Sequence, residues 1–184
     1  MAQTLFFPGG ISFLDYPFAP ASVYPSATVL SRAMRAICLK ANPPEVWLHT
    51  GEILFLDARQ KEVLGKFAER NRIPTVEANL VWSMILDEFL DTEFGPESIA
   101  GSYRYLEKAG IPRDEVDRLR KRLAPIMMSY NFDSCLWEWV NLGLYDLLSA
   151  MNGALIAPRL KPSEEEFQAF YWEAMRLAER SFRR

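Results

Sequence analysis

The chain has 184 residues, of which 49% are hydrophobic and 13% aromatic, so it can bury a full core and falls within the usual size of one domain. Its formal net charge of −3 gives no field that attracts phosphate backbones or anionic membrane surfaces, which makes nucleic acid a poor candidate partner. No apolar run approaches the roughly 18–20 residues that cross a bilayer, and the N-terminus lacks the pattern of a targeting signal. The two cysteines, Cys38 and Cys135, form no C-x-x-C pattern, which predicts a reduced, cytoplasmic protein.

The first 56 residues predict an arm, a helix and a hairpin. Residues 1–25 mix aromatics with Pro and Gly without a helical period, which predicts an extended arm with at most one short strand. We expect its aromatic side chains to pack across the helices or, as the alternative, across a neighbouring subunit. Residues 26–40 repeat apolar side chains at intervals of three and four, which predicts a core helix. The run VWLH-TG-EILFL at 46–56 predicts two short strands around Thr50-Gly51.

Six further helices are predicted after the hairpin, over residues 57–70, 75–94, 96–109, 112–124, 133–151 and 163–182. Two of them, 75–94 and 133–151, are apolar nearly all round and should therefore be central and buried. The pattern predicts a mainly α fold, in which about seven helices in one domain over 1–184 surround one or two buried central helices. The hairpin and the N-terminal arm are the exceptions to this helical pattern.

The ends of several predicted helices carry recognisable signals. Asp57 and Gln60 are expected to form a capping pair, and Gly110 is well placed as a left-handed residue after the helix at 96–109. Pro125 is expected to kink or stop its helix. Ser163, followed three residues later by Glu166, forms a capping box that begins the last helix, and residues 154–161 precede it as a linker.

No complete catalytic signature is present in the sequence. Nucleotide-binding glycine motifs, H-E-x-x-H, G-x-S-x-G and paired C-x-x-C motifs are all absent. His49 is the only histidine, which excludes a zinc site with several histidines. A small-molecule pocket lined by Trp137, Trp139 and Tyr145 is physically allowed, but no motif specifies it.

The predicted helix at 75–94 ends in a cluster of carboxylates, Asp87, Glu88 and Asp91. The macrodipole disfavours negative charge at a helix C-terminus by about 0.3–1 kcal/mol per group, so a cation is expected nearby. Two explanations remain open. The cation is either an arginine of the helix that carries Arg113–Arg122, or a divalent metal ion held by carboxylates at positions i and i+4.

The D-E-x-x-D pattern resembles the first aspartate-rich motif of all-helical prenyl-diphosphate enzymes. Glu88-x-x-Asp91 is similar to half of the metal motif of all-helical nucleotide pyrophosphohydrolases. Either resemblance implies a Mg²⁺- or Mn²⁺-dependent phosphohydrolase or diphosphate-processing enzyme, with Asp87, Glu88 and Asp91 as metal ligands. Its phosphate-binding residues would be Arg118, Arg120 and Arg122. Both resemblances cover only these few residues, and a second acidic motif at the right spacing is missing.

The last helix carries an aromatic face that favours a different function. Its candidate interface residues are Phe167, Phe170, Tyr171, Trp172 and Arg176, because Trp is enriched at interface hot spots and the arginine could rim the contact. With no complete catalytic set, the sequence favours a non-enzymatic protein–protein interaction module that self-associates as a homodimer and needs no cofactor. The C-terminal helix, with the N-terminal arm as a possible addition, would form the contact.

Overall fold

The computed structural model describes residues 3–90, 95–133 and 141–180. The chain divides into two compact units, Met1–Ala78 and Asn79–Arg184. The described residues form six α-helices and two three-stranded antiparallel sheets. The fold is therefore mixed α and β, and the prediction of a mainly α helical bundle with one hairpin is wrong. One domain over 1–184 stays a prediction. None of the described helices has the length and apolar character needed to cross a bilayer.

The first sheet of the N-terminal unit consists of β1 (Gln3–Phe7), β2 (Gly10–Leu14) and β3 (Ala27–Leu30). β1 and β2 form a hairpin closed by Pro8-Gly9, and β3 pairs antiparallel with the other edge of β2. The prediction of an extended arm over residues 1–25 with at most one strand is therefore wrong. Aromatic and β-branched residues fit a pleated, half-buried surface, and this preference is hard to distinguish from irregular structure when Pro and Gly interrupt it.

The aromatic residues of the predicted arm pack largely inside their own unit. Phe13, Tyr16, Phe18 and Phe55 form a chain of edge-to-face contacts, with ring centroids 5.7, 5.8 and 6.2 Å apart. The Tyr16 hydroxyl also accepts the backbone N–H of Phe55 at 3.1 Å. These contacts join the first sheet to the second, so the core of the unit contains most of the aromatic surface that the sequence placed in an arm.

The second sheet consists of β4 (Met34–Cys38), β5 (Glu45–Leu48) and β6 (Ile53–Phe55), in that order. The predicted hairpin around Thr50-Gly51 is present as β5 and β6 of this sheet. The helix predicted over 26–40 is wrong, because β3, a 3-10 turn and β4 occupy this segment. An almost continuously buried run such as β4 fits a helix and a buried strand equally well by periodicity, and only its pairing with β5 decides.

A 3-10 turn at Ala58–Gln60 and the helix α1 (Lys61–Asn71) follow the second sheet. The Asp57 carboxylate accepts the N–H of Arg59 at 2.9 Å, whereas the Gln60 side chain bonds to Thr4, so the predicted capping pair does not form. The unit closes with a parallel bridge between Thr75 and Ile37 of β4.

The C-terminal unit contains α2 (Val81–Leu86), α3 (Pro96–Lys108), α4 (Arg113–Met128), α5 (Leu144–Met151) and α6 (Glu164–Glu179). A 3-10 turn at Asp87–Phe89 follows α2, a π turn at Ser129–Asp133 follows α4, and a second 3-10 turn at Pro158–Leu160 precedes α6. Its core includes the Trp82 indole, whose N–H donates to the Ala174 carbonyl of α6 at 3.0 Å.

The central helix predicted over 75–94 is shorter in the structure. Thr75 lies beside β4, residues 76–80 are not helical, and α2 begins only at Val81, whose N–H donates to the Asn79 side chain at 2.9 Å. Thr75 therefore pairs with β4 instead of starting a helix, and the Asn79 side chain accepts an N–H of the first turn of α2.

Two other helices differ from their predicted lengths. α4 continues through Pro125 to Met128, and because Pro125 is exposed, water can hydrate the carbonyl that loses its helical partner. Of the helix predicted over 133–151, residues 134–140 lie outside the described residues, and α5 begins at Leu144 after Gly143. Gly110 has φ of +79°, which confirms its predicted left-handed conformation.

The capping box at the start of α6 is confirmed and predicts a measurable loss on substitution. Ser163 Oγ accepts the N–H of Glu166 at 3.2 Å, and Glu166 Oε2 accepts the N–H of Ser163 at 2.8 Å. Ser163→Ala is expected to lower the free energy of unfolding by about 1 kcal/mol, measured by urea unfolding followed by circular dichroism. Ser163→Asp retains an acceptor and should unfold near the wild-type midpoint. Equal destabilisation by both variants would contradict the capping role.

Candidate functional site

The acidic cluster predicted at the end of α2 is paired with an arginine. Asp87 lies in the 3-10 turn after α2, and one carboxylate oxygen is 2.5 Å from Nη2 of Arg120 on α4. The other oxygen accepts the Ser102 hydroxyl at 2.7 Å. Glu88 Oε2 lies 3.3 Å from Nε of the same arginine. The cationic partner expected for this cluster is therefore Arg120, from the helix that the sequence suggested.

Arg120 also satisfies the end of α2. Its guanidinium is buried and donates to the carbonyls of Met84 at 2.9 Å and Ile85 at 3.0 Å, which belong to the last turn of α2, where carbonyls lack intrahelical α-type partners. A third bond, of 3.0 Å, goes to the Tyr103 hydroxyl, which donates in turn to Asp117 at 2.7 Å. The Arg120 cluster is thus a hydrogen-bonded network that ties α4 to α2 and α3.

This network bears on the metal-binding alternative. Both oxygens of Asp87 already have partners, and a guanidinium lies where a cation between Asp87 and Glu88 would lie. Within 3–90, 95–133 and 141–180, no three His, Cys, Asp or Glu side chains converge as a metal site would require. Asp91 lies outside the described residues, so the Mg²⁺ or Mn²⁺ alternative is not tested and stays a prediction.

The three arginines predicted to bind phosphate do not converge on one site. Arg118 pairs with Asp114 at 2.5 Å on the exposed side of α4, and Arg122 pairs with Glu173 of α6 at 2.8 Å. Arg120 alone points inward. A sequence signal for this was present, because positions 116, 119, 120, 123 and 127 form one helical stripe and its other four members are apolar.

The aromatic face of α6 lies mainly in the core. Phe167, Phe170 and Tyr171 are buried within the C-terminal unit. Trp172 is half-buried with its ring against that of Tyr171, at 5.4 Å between centroids, and Arg176 is exposed. Trp172 and Arg176 therefore remain the accessible members of the predicted interface.

Other candidate residues fall outside chemically active arrangements. His49 is exposed at the end of β5, and burial raises the pKa of the Cys38 thiol, which disfavours the reactive thiolate. Tyr145 of the suggested small-molecule pocket is half-buried on α5. Trp137, Trp139 and Cys135 lie outside the described residues.

The outer face of the first sheet is an exposed apolar surface that the sequence did not predict. Residues alternate between its two faces: Thr4, Ile11, Phe13 and Val29 are buried, and their neighbours point away from the core. We call the opposite side the outer sheet face; its members are Gln3, Leu5, Phe7, Ser12, Leu14, Thr28 and Leu30. Leu5 is 61% exposed, Phe7 38% and Leu30 39%. No member is charged.

Two local features make the outer sheet face flatter and less polar. A Cβ on Gly10 would lie 2.5 Å from Cζ of Phe7, so the absence of a side chain lets the Phe7 ring lie across the sheet. The hydroxyls of Ser12 and Thr28 bond to each other at 2.8 Å, so these two polar groups are partly satisfied within the face. Covering the face would therefore desolvate few unpaired polar atoms.

No protein-family model, no curated protein and no solved structure matches this chain. The charged groups of the Arg120 cluster have internal partners, whereas the outer sheet face leaves Leu5, Phe7 and Leu30 partly exposed to solvent. An exposed apolar face of this kind is typical of an interaction surface.

Proposed function

We propose that the protein is a non-enzymatic interaction module that self-associates, and that two copies meet through the outer sheet face. The observation that carries the proposal is an exposed sheet surface with three large apolar side chains and no charge. A cytoplasmic location is part of the proposal, supported by the free, buried thiol of Cys38.

A second copy fits this surface better than a charged partner does. In a two-fold symmetric contact the same patch meets itself, so a charge close to the two-fold axis would face its own copy. The outer sheet face has none, and two sheets can pack face to face at about 10 Å with interleaved side chains. Burial of Leu5, Phe7 and Leu30 would then supply the driving force.

The size of the face predicts a weak dimer. With strands about 4.8 Å apart and about 3.4 Å per residue, the paired strands cover roughly 10 by 17 Å of backbone, well below the roughly 800 Å² per partner of a standard interface. We therefore expect a dissociation constant on the order of 0.1 mM.

Leu5→Glu is expected to abolish self-association, because it places a carboxylate from each copy inside an apolar contact, where a charge is costly to desolvate. The measurement is sedimentation velocity from about 10 µM to about 1 mM, where the wild type should shift toward dimer and the variant should stay monomeric. Ile99→Glu is the matched control, since Ile99 is 44% exposed on α3 of the other unit. Circular dichroism checks that both variants are folded, and Leu30→Thr offers a substitution that preserves strand propensity.

Two results would contradict this assignment. A wild-type protein that stays monomeric up to about 1 mM removes self-association altogether. A dimer that survives Leu5→Glu and dissociates on Trp172→Ala assigns the contact to α6, the surface predicted from the sequence.

A further inference from the structure

A groove of about 520 Å³ lies in the C-terminal unit, between α4, the end of α5, the turn at Pro158–Leu160 and α6. Its apolar lining includes Leu123, Ile126, Met151, Leu160, Ala169 and Phe170. The volume falls in the range of about 300–1,000 Å³ that is usual for small-molecule sites. The groove is separate from the outer sheet face, which belongs to the N-terminal unit.

The charged side chains at the mouth of the groove differ in their partners. Arg122 pairs with Glu173 at 2.8 Å, and its guanidinium carbon lies 5.2 Å from the centre of the Phe170 ring. Glu166 accepts the N–H of Ser163 in the capping box. Within the described part of the chain, no carboxylate lies within 4 Å of the Lys161 ammonium. The lysine therefore lines the groove with its charge available.

The stem of Lys161 is held by the backbone that ends α5. A Cβ on Gly153 would lie 2.8 Å from Cδ of Lys161 and 3.1 Å from its Cε, so the lysine chain rests directly on this glycine. Gly153 has φ of +95°, a conformation that glycine adopts at little cost. Packing of its stem limits the positions that the ammonium can take and leaves it beside the apolar lining.

We propose that this groove binds a small amphipathic anion, an alkyl carboxylate of medium chain length, with the chain on the apolar lining and the carboxylate on Lys161. The apolar lining favours a hydrocarbon body, and the Lys161 ammonium, which has no carboxylate within 4 Å among the described residues, favours a negative head group. Glu166 and Glu173 also line the groove; one is bonded in the capping box and the other to Arg122. A cationic head group would meet Lys161 and Arg122. A carboxylate head group must bind on the Lys161 side of the groove, away from Glu166 and Glu173.

Titration with decanoate tests the proposal, with methyl NMR of methionine as the readout. Met151 lines the groove and should show a saturable shift, whereas Met34 of β4 should not move. Lys161→Gln should weaken binding roughly fivefold, the loss expected for a partly exposed charged hydrogen bond. Lys121→Gln is the matched control, because Lys121 is exposed on α4 and does not line the groove. Ala169→Trp should fill the groove and abolish the Met151 shift.

Further titrations distinguish an alkyl carboxylate from other ligands of the groove. Decyltrimethylammonium has the same chain with a cationic head group, so binding equal to that of decanoate would overturn the role of Lys161. No saturable Met151 shift with decanoate, or equal shifts of Met151 and Met34, would overturn the site itself. Binding of an apolar helical peptide in place of decanoate would assign the groove to a protein partner and overturn the ligand class.

Discussion

Arg120→Met is expected to lower the free energy of unfolding by about 3–5 kcal/mol, the usual cost of removing one partner of a buried ion pair. The side chain of Arg120 is 8% exposed and that of Asp87 15%, so the variant leaves a carboxylate with little access to water. The carbonyls of Met84 and Ile85 lose their donor in the same step. Urea unfolding of wild type and variant measures the difference.

Arg118→Met is the matched control for this prediction. Arg118 lies two residues away on the same helix and pairs with Asp114, but both side chains are mostly exposed, so no measurable loss is expected. The double variant Asp87→Leu with Arg120→Met should recover part of the stability, because it removes the buried charge as well as its partner. A loss in the free energy of unfolding that is no larger for Arg120→Met than for Arg118→Met would show that the Arg120 cluster does not stabilise the unit.

Glu45→Gln is expected to raise the free energy of unfolding at pH 8 by about 3 kcal/mol as an upper value. Burial raises the pKa of Glu45 from 4.5 to about 7, and the hydrogen bond from the Trp47 indole only partly offsets this. Gln has nearly the same shape and still accepts that bond. The substitution therefore removes the cost of a buried charge without opening a cavity.

The contribution of Glu45 to stability changes between about pH 4.5 and 7. Below about pH 4.5 Glu45 is protonated in the folded and unfolded chains, so its stabilising contribution is fully present there. As the pH rises to about 7 the unfolded chain releases its proton first, and this contribution is lost. Burial also raises the pKa of Asp146 to about 6, so the contribution of Asp146 to the free energy of unfolding also falls as the pH rises.

Urea unfolding at a series of pH values between 4 and 8 tests this prediction. The difference in stability between Glu45→Gln and wild type should grow from pH 4.5 to 7 and then level off. Glu77→Gln is the control, because Glu77 is exposed and paired with Lys40, and it should not reproduce that growth. A difference that is independent of pH would contradict the burial of an ionisable Glu45.

Local signals in the sequence were read correctly where neighbouring residues alone decide the structure. The Ser163–Glu166 box, the left-handed Gly110 and the Thr50-Gly51 hairpin each depend on a few consecutive residues. Residues 26–40 were misread because their strands depend on pairing with distant segments, β2 and β5. The outer sheet face was missed for the same reason, since Leu5 and Leu30 share a face only after register is set.

The pairing of the acidic cluster could be predicted only in part from the sequence. The helix dipole at the end of α2 predicted that Asp87 needs a cation, and the charged helix at 113–122 was a plausible source. Sequence spacing alone does not distinguish Arg118, Arg120 and Arg122 as candidates for phosphate binding. Packing of the apolar stripe of α4 against α2 separates them, because it turns only Arg120 inward.

The bond between the Trp47 indole and Glu45 has an optical consequence. Trp47 is the only tryptophan among residues 1–78, and its N–H lies 3.0 Å from the carboxyl oxygen. Light absorption moves electron density in indole from the five-membered toward the six-membered ring, so a negative charge beside the nitrogen stabilises the excited state. Ionisation of Glu45 therefore shifts the fluorescence of Trp47 to longer wavelength. The emission of Trp47 thus reports the protonation state of Glu45 without an added dye.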